Sequence, residues 1–267
     1  MPPIAAFDID LTIHREGLFT IFMYALVEAN LIPRETCEHP EIIRQKWDTR
    51  RGFRRDYAMS IVERFSTLQS LKGLPQDHAI KIAEQLLQDH ADHTWLFPRL
   101  LLEALQEQGY VTVAISASPA EIVKPFVRRW GFDDYLATEL ELDDQRCFTG
   151  NADKEIRHHR DKAGSLERLA TKHGCTLADS IAIGDSMDDF PMLKKATYPF
   201  AMNPSNELRQ KCREEGIPLI VEYGDSITIL HSSSADEAFQ EIGLSQVLPF
   251  SLAETISNNA EGRISSP

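Results

Sequence analysis

Two carboxylates, Asp8 and Asp10, close an apolar run that begins at residue 3. Carboxylates beside a buried strand cost free energy unless a partner uses their charge. Their alternate spacing allows both side chains to face one site, where a divalent cation would offset their repulsion. For this pair taken alone, a solvated Asp-x-Asp turn is the alternative.

Hydroxyl groups and a lysine follow later in the chain. Ser116-Ala117-Ser118-Pro119 ends an apolar stretch, and hydroxyls with free amides at such a turn suit phosphate oxygens. The same residues also fit a helix cap, with Ser118 before Pro119 at the first helical position. Lys162 precedes a helical pattern, where its charge opposes the helix dipole. A phosphate-facing role explains that position, and a surface lysine is the alternative.

A second acidic group follows Gly184 and consists of Asp185, Asp188 and Asp189. Magnesium in phosphoryl-transfer sites commonly binds one or two carboxylates plus the substrate phosphate. Asp188 and Asp189 could instead cap the next helix, and for Asp188 we favour the cap.

Strands and helices alternate along the chain, which predicts where these residues meet. Strands are predicted at 3–9, 111–116, 180–183, 198–202 and 219–221, helices at 101–108, 120–130, 165–173 and 206–215, and a hairpin at 137–149. This order favours an α/β fold with a doubly wound, Rossmann-like parallel sheet. Ligands of such sheets bind outside the carboxyl ends of the strands.

A helical pattern over residues 17–93 is too long for a simple crossover and predicts an inserted all-helical cap. We therefore expect a catalytic core of residues 1–14 and 97–224, a cap of 15–96, and a C-terminal extension of 225–267. The polar end of the extension, from residue 257, is expected to be disordered.

Composition excludes several classes of partner. The 267 residues carry a net charge of −13, which repels nucleic acid and anionic lipid. The apolar run 18–31 is short for a membrane span and contains Glu28 and Asn30. The four cysteines lie far apart and suggest no disulfide framework, so we expect a cytoplasmic protein. We further expect a monomer or homodimer that acts on a small molecule.

In order and context, the four motifs resemble those of the haloacid dehalogenase-like hydrolase superfamily over residues 4 to about 205. The matching residues are Asp8, Asp10, Thr12, Ser116, Lys162, Gly184, Asp185 and Asp189. The cap position, Gly184-Asp185-Ser186 and Pro191-Met192-Leu193 resemble the phosphoserine-phosphatase-like branch.

The resemblance implies a magnesium-dependent phosphatase. Asp8 would attack phosphorus and form an aspartyl phosphate, while Asp10 would serve as acid and base and Thr12 would tune that turn. Asp8, Asp185 and the backbone carbonyl of Asp10 would bind Mg²⁺. Asp189 would support the magnesium ion through waters. Ser116 and Lys162 would bind the phosphoryl oxygens.

Asp10 favours phosphatase or phosphotransferase chemistry over dehalogenation, because dehalogenases of the superfamily resemble this chain only in the first aspartate. A non-catalytic phosphate-binding module is the further alternative.

The resemblance leaves the substrate at the level of a small phosphomonoester. Phosphoserine phosphatases carry a motif similar to Ser-Gly-Gly where this chain has Ser116-Ala117-Ser118, so Ala117 and Ser118 would face the substrate. Glu16 and Arg64 are the candidate cap contacts, and an arginine suits a substrate carboxylate. His90 and His93 lie about one helical turn apart, but the sequence shows no third ligand for a zinc site.

Overall fold

An eight-stranded sheet organises the computed structural model, which describes residues 1–37, 68–152, 161–224 and 226–264. A separate two-stranded sheet lies beside it. In chain order the strands are β1 (Pro3–Phe7), β2 (Val111–Pro119), β3 (Asp134–Thr138), β4 (Leu140–Leu142), β5 (Phe148–Ala152), β6 (Thr176–Gly184), β7 (Tyr198–Met202), β8 (Leu219–Tyr223), β9 (Ser226–His231) and β10 (Gln240–Glu241).

The described residues also form eight α-helices. They are α1 (Leu18–Glu28), α2 (Gln76–His90), α3 (Leu96–Glu107), α4 (Ala120–Trp130), α5 (Lys162–Lys172), α6 (Phe190–Leu193), α7 (Asn206–Glu215) and α8 (Phe250–Ile264). None of the helices in these described parts is both long and apolar enough to cross a membrane.

The main sheet has the strand order β10-β9-β8-β7-β6-β1-β2-β3, and β1 lies near its centre. Neighbours from β8 through β3 pair in parallel, whereas β9 and β10 pair antiparallel. Parallel sheets need both faces covered. This confirms the predicted doubly wound, Rossmann-like fold with a helical insertion after the first strand.

Side chains of β1 alternate between two apolar clusters, as a strand buried on both faces requires. Ala5 and Phe7 enter the cluster that also contains residues of α1, α3, α4 and α8. Ile4 and Ala6 enter the opposite cluster, which contains residues of α5, α6 and α7. The two helical layers therefore hold the central strand, and the residues that follow it, in a fixed position.

Between β1 and α3 the described regular structure is helical, and turns and loops connect the helices. Beside α1 and α2 the chain forms short 3₁₀ helices at Arg34–Cys37 and Leu68–Leu71. Residues 38–67 lie outside the described part, so the division into a core and a cap at residues 14 and 97 stays a prediction.

Two regions differ from the sequence-based expectations. The hairpin predicted at 137–149 is formed by β4 and β5, while β3 joins the main sheet beside β2. The C-terminal segment adds β9 and β10 to the sheet and ends in α8, where disorder was expected from residue 257. The reason is apolar spacing, because Leu252, Ala253 and Ile256 are buried on one face of α8. Residues 265–267 lie outside the described part.

Candidate active site

Three neighbouring strands, β6, β1 and β2, deliver the predicted acidic and hydroxyl residues to one edge of the sheet. Phe7 pairs in register with Ala114 of β2 and with Ile183 of β6. Asp8, the next residue, donates its backbone N–H to the carbonyl of Ile183 at 3.0 Å. Ser116 and Asp185 each lie two residues beyond these partners, so parallel pairing places them beside Asp8.

A buried lysine joins two of the aspartates. Lys162 Nζ donates to Asp8 Oδ1 at 2.6 Å and to Asp189 Oδ1 at 2.5 Å. The lysine side chain is 3% exposed, so water screens these ion pairs little. Lys162 is the first residue of α5, whose N-terminus is capped by the Asp161 side chain through the N–H of Gly164. Its ion pairs with Asp8 and Asp189 thus explain why a lysine occurs at the N-terminus of α5, where its charge opposes the helix dipole.

Asp189 fixes the loop after β6. Its Oδ2 accepts hydrogen bonds from the N–H of Asp185 at 3.0 Å and from the N–H and hydroxyl of Ser186 at 2.9 Å each. Gly184 is needed for this arrangement, because a Cβ there would lie 2.4 Å from Cβ and Cγ of Asp189. Asp189 is therefore a positioning residue for Asp185, while Asp188 is exposed.

The electrostatics of this cluster favour a cation. Burial raises the pKa of the Asp8 carboxyl well above its ordinary value; Lys162 opposes that shift, and the Asp189 and Asp185 carboxylates add to it. Burial alone would lower the pKa of Lys162, but the Asp189 and Asp8 carboxylates outweigh burial and raise that pKa. The Lys162 ammonium is therefore the positive charge that offsets the neighbouring carboxylates of Asp8 and Asp189. A further positive charge would favour the ionised form of Asp8.

The donor atoms fit a hard divalent cation. One carboxylate oxygen each from Asp8, Asp185 and Asp189 lies within 4.8 Å of the other two, and all three residues are buried. Oxygen-only ligands suit Mg²⁺, which keeps waters in its remaining positions. Asp189 already accepts four hydrogen bonds, which fix its carboxylate at the edge of this set.

The carboxylate of Asp10 has a different set of hydrogen-bond donors from that cluster. Ser116 Oγ donates to Oδ2 at 2.8 Å, Ser118 Oγ donates to Oδ1 at 2.8 Å, and the N–H of Leu18 donates to Oδ1 at 2.5 Å. Two carboxylates thus stand in different settings, one paired with a buried lysine and one with hydroxyls and an amide. Such a difference is typical of a nucleophile beside a separate acid and base.

A family model described as haloacid dehalogenase-like hydrolase matches residues 5–194 of the chain. The chain belongs to this family. The match spans all four motifs, and the phosphoserine-phosphatase-like branch contains several of its relatives.

Similar proteins have both known and unknown functions. A protein of unknown function from Bordetella pertussis Tohama I has a crystal structure with TM-score 0.64 and 19% identity, covering 82% of this chain and 98% of that one. A phosphoserine phosphatase crystallised in apo form has TM-score 0.55 and 21% identity, covering 79% of this chain and 91% of that one. Both likenesses show a shared fold.

A curated relative, phosphoserine phosphatase SerB1 of Mycobacterium tuberculosis H37Rv, is 31% identical over 154 residues. That alignment covers 57% of this chain and 50% of the relative. The chain spans about half the length of the first curated relatives it matches.

Of the four remaining residues that the family resemblance predicts for the site, the structure describes Thr12, Ala117 and Glu16. Thr12 is buried, and its hydroxyl has no hydrogen-bond partner among the described residues. The carbonyl of Ala117 accepts from the Thr138 hydroxyl at 2.6 Å. Glu16 Oε2 lies 3.7 Å from His93 Nδ1. Arg64 lies outside the described residues.

Sequence reasoning did not predict the hydrogen bond between Ser118 and Asp10. That Ser118 faces a substrate stays a prediction; in the structure its hydroxyl donates to Asp10 at 2.8 Å and accepts from the N–H of Phe19 at 3.1 Å. Strand β2 continues to Pro119, so Ser116 and Ser118 lie on the same face of it. That period of two was the signal, and it was hidden because the strand was expected to end at residue 116.

Proposed function

We propose that this protein is a magnesium-dependent phosphatase that hydrolyses a small phosphomonoester through an aspartyl phosphate on Asp8. The observation that carries the proposal is the pairing of two differently held carboxylates after the central strand. Asp8 lies 2.6 Å from Lys162 beside Asp185, and Asp10 is fixed by Ser116 and Ser118.

In the first step an Asp8 carboxylate oxygen attacks phosphorus and the bond from phosphorus to the ester oxygen breaks. Asp10, in its protonated form, gives its proton to the departing alkoxide, which leaves as an alcohol. Lys162 and the Ser116 hydroxyl stabilise the negative charge on the phosphoryl oxygens. Ser116 can do so by turning one hydrogen bond from Asp10 to phosphate, since Ser118 continues to hold the carboxylate.

In the second step water attacks the acyl phosphate. Asp10, now a carboxylate, takes a proton from that water, the bond between phosphorus and the Asp8 oxygen breaks, and inorganic phosphate leaves. A bound Mg²⁺, held by Asp8, Asp185 and the backbone carbonyl of Asp10, would neutralise phosphate charge and the repulsion between the carboxylates. Burial of Asp8 and Lys162 keeps this charge pairing strong.

For the substrate we propose a small phosphomonoester, and the phosphoserine phosphatase activity for which the mycobacterial relative is named supports this proposal. Ala117 adds a Cβ where the family's phosphoserine phosphatases resemble Ser-Gly-Gly, so a substrate other than phosphoserine is favoured. Arg64 and Glu16 stay candidate contacts from the region proposed as the cap. A net charge of −13 supports a small substrate over nucleic acid.

The proposal is tested with an aryl phosphate such as 4-nitrophenyl phosphate. We expect hydrolysis that requires Mg²⁺, and a loss of about 10³-fold or more in kcat for Asp8→Asn. The exposed Asp188 lies in the same acidic segment as Asp185, so Asp188→Asn is the matched control and should keep parental activity. Circular dichroism melting checks that both variants fold.

Three results would contradict the proposal in distinct ways. An Asp8→Asn variant as fast as the parent would remove the nucleophile assignment. A stable aspartyl phosphate without turnover would indicate a phosphate-binding module. Transfer of phosphate to an added alcohol in preference to water would indicate a phosphotransferase.

A further inference from the structure

A second group of metal-ligating side chains lies outside the aspartate cluster. It consists of Glu16, His90 and His93, and one ligand atom of each lies within 4.8 Å of the other two. We propose that these three residues bind a divalent transition metal of the zinc type, with one coordination position left open. We refer to this group as the histidine site.

The ligand set matches that class of metal. Two imidazoles and a carboxylate suit Zn²⁺, Co²⁺, Ni²⁺ and Cu²⁺, whereas Mg²⁺ and Ca²⁺ prefer oxygen ligands. Three protein ligands with a fourth position free is the arrangement of open zinc sites. The aspartate cluster offers carboxylate oxygens only, so the two sites would select different ions.

The distances need only small adjustments of exposed side chains. Tetrahedral ligands about 2.0–2.1 Å from a metal stand roughly 3.4 Å apart. His93 Nδ1 and Glu16 Oε2 are already 3.7 Å apart, and their side chains are 63% and 33% exposed. The rings of His90 and His93 have centroids 5.9 Å apart and are nearly perpendicular. Rotation of the exposed side chains can therefore close the set around an ion without moving the backbone.

An independent observation points to a missing ligand at His90. Its Nδ1 atom is buried, and no hydrogen-bond partner for it is found within the described residues. Buried polar atoms in proteins are nearly always paired, and each exception calls for a partner. A metal ion between Glu16 and His93 would supply one.

The backbone around these side chains is already fastened together. The N–H of Arg15 donates to the His93 carbonyl at 2.9 Å, and the N–H of Trp95 donates to the Ile13 carbonyl at 3.0 Å. These bonds join the loop after β1 to the segment after α2. Ligands on a fixed scaffold lose less entropy when they bind an ion.

The buried His14 adds side-chain support to the same junction. Its Nε2 donates to the carbonyl of His90 at 2.9 Å, and its Nδ1 lies 2.8 Å from the carbonyl oxygen and 3.1 Å from the backbone nitrogen of Glu16. His14 therefore orients both segments that carry ligands, as supporting residues do in metal sites. Its side chain is fully buried, so solvent does not compete for these bonds.

The location gives the ion a structural consequence. A hydrogen bond from the N–H of Leu18 to the Asp10 carboxylate joins the two ends of the loop of residues 10–18. Glu16 lies within this loop. An ion bound to Glu16, His90 and His93 would clamp this loop to the end of α2. Occupancy would therefore stabilise the folded chain and hold the loop, without requiring that the aspartates be active.

The test uses the full chain after treatment with a chelator, in saturating Mg²⁺ so that oxygen-rich sites are filled. Titration with Co²⁺ is followed by visible absorption, and titration with Zn²⁺ by calorimetry. We expect one Co²⁺ or Zn²⁺ per chain, visible bands typical of four- or five-coordinate Co²⁺, and a Zn²⁺-dependent rise in melting temperature. His93→Ala and Glu16→Gln should weaken binding by at least about 10-fold.

The matched control is His78→Ala, because His78 is an exposed histidine on the same helix α2. It should bind both ions as the parent does. His93 is largely exposed, so its variant is expected to fold even if a His90 variant does not.

Absence of Co²⁺ binding by the parent, or equal binding by the parent and His93→Ala, would overturn the histidine site. Asp8→Asn should keep full Co²⁺ binding, so failure of this inference is distinguishable from failure of the proposed phosphatase.

Discussion

Asp10 shows how single residues divide the work of the site. Its carboxylate is held by two hydroxyls and one amide, while Asp8 is held by a buried ammonium. Hydrogen bonds to a charged group contribute about 1.5–3 kcal/mol each. The orientation of Asp10 should therefore depend measurably on Ser118, which donates to both of its carboxylate oxygens.

We expect Ser118→Ala to lower kcat by about 10-fold with little change in KM, because it removes one donor that positions the acid and base. Steady-state kinetics on the aryl phosphate separate the two constants. Ser251→Ala, an exposed serine on α8, is the control. A rise in KM alone would instead support the substrate-facing role that the sequence predicted for Ser118.

At this scale the sequence predicted the residue types and missed several contacts. Asp8, Lys162, Asp185 and Asp189 could be foreseen to converge, because each follows a strand or begins a helix at one edge of a parallel sheet. The histidine site could not be foreseen. Glu16 is separated from His90 by more than seventy residues, and nothing in the local spacing shows that they meet.

Secondary-structure elements depend on comparable long-range contacts. Helix α3 begins at Leu96 without a side-chain cap from its own N-cap residue, Trp95. The cap comes from β8 instead, where Glu222 accepts from the N–H of Leu96 at 2.8 Å and from the N–H of Phe97 at 2.9 Å. Glu222 is 4% exposed, so these bonds replace water at a buried helix end.

We expect Glu222→Ala to lower the free energy of unfolding by about 2–3 kcal/mol, because two buried amides at the positive end of α3 lose their acceptor. Urea unfolding followed by circular dichroism measures the change. Glu222→Gln keeps one acceptor and should fall between the alanine variant and the parent.

The comparison for that prediction is Glu214→Ala, which removes an exposed ion pair with Lys211 and should leave the free energy of unfolding nearly unchanged. Equal stability of the Glu222 and Glu214 variants would show that β8 does not cap α3.

The boundaries of the helices and strands show which local sequence signals were sufficient to predict them. Helices α4 and α7 match their predicted bounds, because Gly131 and Gly216 follow them with positive φ. Such a glycine ends a helix from local conformation alone. Strand β3 was not predicted as a strand of the main sheet, and only its last two residues fell within the hairpin predicted at 137–149. Its parallel pairing with β2 depends on a chain segment about twenty residues away.

Over the whole molecule, the sheet continues past the parallel strands that carry the site. Strand β9 pairs antiparallel with β8 from Tyr223 to Leu219. Helix α8 then packs against α3, in the apolar cluster that also contains Phe7 of β1. The alternating pattern of core strands predicted the parallel part of this sheet. Two short antiparallel strands and a polar helix carry weak sequence signals, and their structure depends on the surface they cover.

This arrangement predicts that the C-terminal helix unfolds together with the core. Leu252 is fully buried in the cluster that also contains Phe7 and residues of α3, so Leu252→Ala should lower the free energy of unfolding by about 2–4 kcal/mol. Glu254, exposed on the same helix, provides the control as Glu254→Ala and should leave stability nearly unchanged.

Unfolding should stay a single transition in both variants, with the same denaturant dependence as the parent, because α8 shares its apolar cluster with the central strand. Hydrogen exchange gives the second measurement, and amides of α8 should open with free energies close to those of β1 in the parent. If Leu252→Ala matched the parent in stability while α8 exchanged rapidly, the C-terminal segment would be an independent extension. The helix would then contribute nothing to the position of Asp8.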